Sequence, residues 1–129
     1  MDYNRCIWPN KTILIADDDV LSRKYFAKIL ELTKAKLIFV KDGKEAITYC
    51  MKKPEVDLIL MDIKMPLKDG LTATKELKQI YPEIPVIVET AYAFDYDKAN
   101  ALASGSDEFI TKPIHKEHLF ELLEKYLNR

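Results

Sequence analysis

The sequence predicts an α/β fold: a doubly wound, five-stranded parallel sheet with helices on both faces. Three observations carry this expectation. Short apolar runs recur at Thr12–Ala16, Lys36–Val40, 56–61, 85–88 and 107–110. Each run is followed by a stretch whose apolar residues repeat at helical spacing. The central run, with Val56, Leu58, Ile59, Leu60 and Met61, is continuous rather than alternating, as a strand covered on both faces requires.

Taken in order, residues 1–10 lack periodicity and contain Trp8 and Pro9, so they read as an N-terminal arm or linker ahead of a domain at 11–129. Trp8 either packs on the domain surface or marks a junction. The first strand, Thr12–Ala16, ends in Asp17-Asp18-Asp19, and a helix over 21–32 turns Phe26, Ile29, Leu30 and Thr33 to one side. After the second strand, Asp42-Gly43 opens a helix over 44–52 that Ala46, Ile47, Cys50 and Met51 anchor and Pro54 closes. The central strand ends at Asp62. Its loop, 63–68, leads to Asp69 as a helix N-cap, with Gly70 beside it and Leu71, Thr74, Leu77 and Ile80 facing inward before Pro82. The fourth strand, 85–88, runs into Glu89-Thr90-Ala91. A helix over 95–104 has Gly105 as its C-cap. The fifth strand is followed by Thr111-Lys112-Pro113 and a last helix carrying Leu119, Leu122, Leu123, Tyr126 and Leu127.

The 129 residues suit one domain with one core. A hydrophobic fraction of 48% with 32% charged residues is that of an ordered globule. The net charge of -1 argues against a basic nucleic-acid binder. Cys6 and Cys50 lack the spacing of a disulfide framework, which fits a reducing compartment, with Cys50 as core filler and Cys6 on a mobile arm. No apolar run reaches the roughly 20 residues needed to cross a bilayer.

In a parallel sheet all strand ends of one polarity lie on one edge, above which ligands bind. That edge collects Asp17, Asp18 and Asp19, then Asp62, Thr90 and Lys112. Carboxylates so crowded repel, and a divalent cation relieves them; hard oxygen donors select Mg²⁺ or Mn²⁺ over zinc. A cation flanked by an ammonium and a hydroxyl is equipment for holding a phosphoryl group. Asp62 beside it could be an oxygen nucleophile that forms an aspartyl phosphate.

Four stretches then match one family in order: Ile13-Leu-Ile-Ala-Asp-Asp-Asp19, Asp57-Leu-Ile-Leu-Met-Asp-Ile-Lys-Met-Pro66 with Asp69-Gly70, Pro85-Val-Ile-Val-Glu-Thr-Ala91, and Gly105-Ser-Asp-Glu-Phe-Ile-Thr-Lys-Pro113. Over about residues 11 to 128 the chain resembles the receiver domains of two-component response regulators. The resemblance implies a flavodoxin-like strand order, 2-1-3-4-5. It implies that Asp62 is the phosphoacceptor and that Asp17 and Asp18 hold Mg²⁺ together with Asp62 and the backbone carbonyl of Lys64. Lys112 would bind the phosphoryl group, with a cis bond to Pro113. Thr90 and Phe109 would switch the surface made by the fourth helix, fifth strand and fifth helix, although Phe109 also reads simply as a core residue. The implied donor is the phosphohistidine of a histidine kinase, and the implied setting is cytoplasmic, or the cytoplasmic part of a membrane-bound hybrid kinase. Direct contact with nucleic acid or membrane is not implied. Such a domain catalyses its own phosphorylation and dephosphorylation; within a hybrid protein the full chain would be a histidine kinase.

Several residues depart from the family pattern or flank it. Glu89 stands where the family often has an apolar or amide residue; it points either to the active-site edge or into solvent, and solvent is the expected side. Lys64 and Tyr92 flank the site where the lifetime of the phosphoryl group is tuned, and a bulky Tyr92 predicts slow hydrolysis. His115 and His118 read as an exposed helix face. A Mg²⁺-dependent phosphohydrolase acting through an aspartyl phosphate is the alternative, but such enzymes of the haloacid dehalogenase type place a second Asp where this chain has Lys64. A flavodoxin-like FMN carrier would need a phosphate loop where Asp17-Asp-Asp19 repels phosphate. A free-standing regulator and the receiver end of a hybrid kinase both fit, with Trp8-Pro-Asn-Lys11 and Thr90-Ala-Tyr-Ala93 favouring the second.

Overall fold

The structure, a computed structural model, describes residues 1–52, 55–91 and 95–128. Strands β1 (Thr12–Ala16), β2 (Lys36–Val40), β3 (Leu58–Asp62), β4 (Val86–Thr90) and β5 (Glu108–Thr111) form one parallel sheet in the order β2-β1-β3-β4-β5. Helices α1 (Val20–Leu30), α2 (Gly43–Lys52), α3 (Gly70–Ile80), α4 (Asp95–Ala103) and α5 (Lys116–Leu127) alternate with the strands. The doubly wound class and the strand order are those expected. The Pro54 helix stop and Tyr92 lie outside the described residues. Among the described residues no helix is long and apolar enough to cross a membrane.

Side chains alternate up and down each strand, and this divides the core in two. Ile13, Ile15, Leu58, Leu60, Ile87 and Ile110 face one way and meet Phe26 and Leu30 of α1 and Phe120 and Leu123 of α5. Leu14, Ala16, Ile59, Met61, Val86 and Val88 face the other way and meet Ala46 and Cys50 of α2 and Ala73 and Leu77 of α3. Cys50 is filler there, and burial pushes its thiol pKa up to about 11. Two residues expected to face inward do not: Met51 and Ile80 are exposed. Met51 follows Cys50 and is therefore turned by about 100° around the helix from it. Ile80 is the last residue of α3, one step past the buried stripe Gly70, Ala73, Thr74, Leu77.

Acidic side chains open the helices. Asp19 accepts the Ser22 N–H, Asp42 the Glu45 N–H and Asp69 the Thr72 N–H, so each satisfies an amide that the first helical turn leaves without a carbonyl. Two more aspartates do the same for the sheet. Asp57, just before β3, accepts the N–H of Thr12 at the start of β1; Asp107, just before β5, accepts that of Val86 at the start of β4. Lys78 completes the second latch, reaching Asp107 and the carbonyls of Pro82 and Ile84, each at 2.9 Å.

Residues 1–10 lie along α5. Cys6, expected on a mobile arm, is 1% exposed, and of the two fates open to Trp8 packing is the one found, at 5% exposed. Tyr3 meets the Phe120 ring edge to face, Arg5 pairs with Glu124 at 2.9 Å, and the Trp8 indole N–H donates to Asn128. The contacts fall on residues 120, 124 and 128, four apart and so on one stripe of the helix.

Candidate functional site

Strands paired in parallel register set residues that point to the same face side by side. Ala16 pairs with Met61, which puts Asp17 beside Asp62; Asp62 pairs with Glu89, and Glu89 with Ile110, two residues before Lys112. Asp17, Asp62, Glu89 and Lys112 therefore share the sheet face covered by α1 and α5. Oxygens of Asp17, Asp18 and Asp62 all lie within 4.8 Å of one another. The Lys112 ammonium is 3.4 Å from Asp62 Oδ2 and 3.7 Å from Asp17 Oδ2. Asp17 is fully buried and held twice more: Oδ1 accepts the Asp19 N–H and Oδ2 the Ser22 hydroxyl. Asp18 is exposed at the mouth. An open cleft of ≈ 600 Å³, lined by Asp18, Ile63, Lys64 and Asn100 among others, leads to it.

The electrostatics follow from this crowding. Burial raises the pKa of Asp62; the neighbouring Lys112 pulls it down and Asp17 pushes it up. Burial alone would lower the pKa of Lys112, but Asp62, Asp17 and Glu89 together outweigh it, so the ammonium is held charged. Hard carboxylate oxygens without His or Cys suit a small divalent ion, and the donor set therefore fits one.

Glu89 is not in solvent, contrary to expectation. It is 0% exposed and no donor among the described residues serves either carboxylate oxygen. Burial first, then the charge of Asp17, raises its pKa well above the ordinary range. An acid whose folded pKa lies above its unfolded value binds more protons folded than unfolded, so its contribution to stability falls as pH climbs from the ordinary glutamate range toward the folded pKa. Glu89→Gln removes the ionisation and supplies an amide N–H. In metal-free buffer it is expected to stabilise the protein by about 1–3 kcal/mol at neutral pH, with the advantage growing with pH over that window. Urea melts across a pH series check this; parallel profiles for both proteins would contradict it.

Of the other residues singled out in the sequence, the Lys64 N–H donates to Asp62 Oδ1 at 3.4 Å while its side chain is exposed. Thr90 ends β4, is 2% exposed, and by parity with Val86 and Val88 belongs to the opposite sheet face. Phe109 is half-buried against that second core. The Lys112–Pro113 bond is cis. His115 and His118 are exposed. Two further participants have contacts that the sequence does not announce. Ser22 lies one turn into α1 and reaches back to Asp17, which the helix phase alone could have indicated. Gly70 presses its backbone against that of Asp62.

Residues 13–124 match the family model of the response regulator receiver domain. The chain belongs to this family. It is a receiver domain of two-component systems, and receiver domains work with histidine kinases or phosphotransfer domains. It is 33% identical to two-component system protein A of Emericella nidulans, over 95% of this chain and 18% of that protein. It is 34% identical to the polar-differentiation response regulator DivK of Brucella ovis, over 91% of this chain and 96% of that one. The receiver thus spans less than a fifth of the first relative and nearly all of the second. Among solved structures, the receiver domain of sensor histidine kinase PA1611 from Pseudomonas aeruginosa, with magnesium in its active-site cleft, superposes with a TM-score of 0.85 at 26% identity, covering 92% of this chain and 98% of that one.

Proposed function

We propose that this receiver accepts a phosphoryl group on Asp62 from the phosphohistidine of a histidine kinase or its phosphotransfer domain. The observation that carries the reading is the convergence of three carboxylates within 4.8 Å of one another with the Lys112 ammonium 3.4 Å from Asp62. In the transfer an Asp62 oxygen bonds to phosphorus as the donor's N–P bond breaks, and the imidazole leaves with that electron pair. Lys112 then exchanges the Asp62 carboxylate for the arriving phosphoryl oxygens. Asp17, fixed by Ser22 and the Asp19 N–H, keeps its place throughout. Mg²⁺, with Mn²⁺ as a substitute, would be held by Asp17, Asp18, Asp62 and the Lys64 carbonyl, and supplies charge neutralisation for the transferring group. Thr90 would donate to a phosphoryl oxygen, leaving room for Phe109 to move and repack the surface of α4, β5 and α5 against a downstream partner.

We read residues 11–129 as the receiver and 1–10 as its lead-in, within a cytoplasmic protein or the cytoplasmic part of a hybrid kinase. The phosphohydrolase alternative is not favoured, since its second acid is replaced by the exposed Lys64.

Incubation with Mg²⁺ and a small phosphodonor, followed by intact mass, tests the assignment. Wild type should gain one phosphoryl group, and Asp62→Asn or a chelator should abolish the gain; undiminished labelling of Asp62→Asn would sink it.

A further inference from the structure

The charge of this domain is unevenly spread. Residues 20–52, which build α1, β2 and α2, carry eight cations (Arg23, Lys24, Lys28, Lys34, Lys36, Lys41, Lys44, Lys52) and three acids. None of the eight makes an ion pair among the described residues, whereas lysines elsewhere, at 68, 78, 112 and 125, do. Two of the three acids are engaged locally: Asp42 accepts the Glu45 N–H and Glu45 the Lys41 N–H.

These cations surround the open edge of the sheet. β2 is the terminal strand and pairs only with β1. The Lys36 N–H donates to Lys11 and the Val40 carbonyl accepts from Asp17, both toward β1. By the alternation of a parallel strand, the N–H and C=O groups of Leu37 and Phe39 point away from the sheet. A groove runs along each side of that edge. One, of ≈ 350 Å³, is lined by Val20, Ala27 and Phe39 with Lys24 and with Arg23, whose guanidinium lies 5.6 Å from the centre of the Phe39 ring. The other, of ≈ 450 Å³, is lined by Phe39, Val40 and Tyr49 with Lys44, Lys52 and Glu45, the last of which accepts the Lys41 N–H. Phe39 lines both, so the two grooves meet at the strand.

We propose that the β2 edge is a docking site for an extended acidic protein segment with alternating carboxylate and aliphatic side chains. The segment would add as a sixth strand. Its main chain would bond Leu37 and Phe39, its aliphatic side chains would fill the grooves, and its carboxylates would meet the cations. A peptide rather than a nucleic acid is indicated by the apolar residues that line the grooves, by hydrogen-bonding groups at strand spacing, and by a remainder of the domain that is net acidic. The site is separate from Asp62 and does not depend on phosphoryl transfer.

The test is titration of the isotope-labelled domain with a seven-residue probe peptide of alternating Glu and Val, alongside the same peptide with Gln for Glu. Amide shifts centred on Leu37 and Phe39, slowed exchange of those two amides, and at least tenfold weaker binding by the Gln peptide and by a Lys24→Glu, Lys44→Glu double variant are expected. Both substitutions are on the surface and away from the carboxylate cluster, so phosphoryl acceptance by that variant should be unchanged, which shows that it is folded. Absence of binding, shifts confined to other surfaces, or equal competition by a DNA oligonucleotide would each overturn the proposal and leave the lysines as guards against edge-to-edge pairing.

Discussion

Gly70→Ala is expected to abolish the phosphoryl acceptance proposed at Asp62, although glycine has no side chain to contribute. A Cβ at position 70 would lie 2.0 Å from the Asp62 carbonyl oxygen, 2.8 Å from its carbonyl carbon and 3.0 Å from the Ile63 Cα. All three are backbone atoms, so no rotamer change relieves the overlap; either β3 or the start of α3 must move. The same turn is tied by the Gly70 N–H to the Ile63 carbonyl at 2.8 Å, and the Thr74 hydroxyl holds the Gly70 carbonyl at 2.7 Å. Moving the turn breaks these bonds as well as displacing Asp62 from Lys112. The cost belongs at the upper end of what overpacking produces, about 3 kcal/mol. Urea melts and intact mass with a phosphodonor measure the two effects separately. A variant of near wild-type stability that still labels would show that the close approach does not matter.

Trp8→Ala should be comparably damaging to stability while leaving the chemistry intact. The ring is buried against the first core, its backbone N–H donates to the Thr33 carbonyl, and its indole N–H donates to Asn128. Truncating a buried tryptophan costs about 3–5 kcal/mol. Trp8→Phe keeps most of the ring and loses the indole N–H, so a smaller loss, about 1 kcal/mol from the hydrogen bond, is expected on top of the reduced volume. Because Trp8 is the chain's one tryptophan, unfolding is followed by circular dichroism rather than fluorescence. Below the melting range Trp8→Ala should accept a phosphoryl group as wild type does. A loss under 1 kcal/mol on truncation would mean that residues 1–10 are a dispensable lead-in.

The contrast between these residues shows what the sequence makes legible. Apolar runs announced the five strands, and the carboxylates at two of their ends announced the cluster, because a strand end is a local feature and its position on one edge follows from parallel topology. Glu89 was misplaced for a specific reason. The apolar run stops at Val88, which ends the expected strand there, but β4 continues to Thr90 and carries Glu89 into the sheet beside Asp62. An acid inside a strand has no signature when its neighbours come from other strands. Trp8 stays open between packing and a junction for the opposite reason: it lies in an aperiodic stretch, and its partners, Thr33 and Asn128, are remote in sequence. Gly70 was visible as a motif, but its closeness to Asp62 exists only in three dimensions.

The two-sided core has a consequence for how the domain would be read. Asp62 and its ionic neighbours lie beneath α1 and α5, while Thr90 and Phe109, proposed as the readout, lie on the reverse of the same sheet. Information written at the acid would pass from one face to the other over the sheet's edge, where Asp62 ends β3 and Thr90 ends β4, rather than along any helix. A compound wedged between α1 and α5 would thus bear first on the writing side and one lodged against Phe109 first on the reading side, while the cleft shared by Asp18 and Asn100 of α4 opens onto the acid itself.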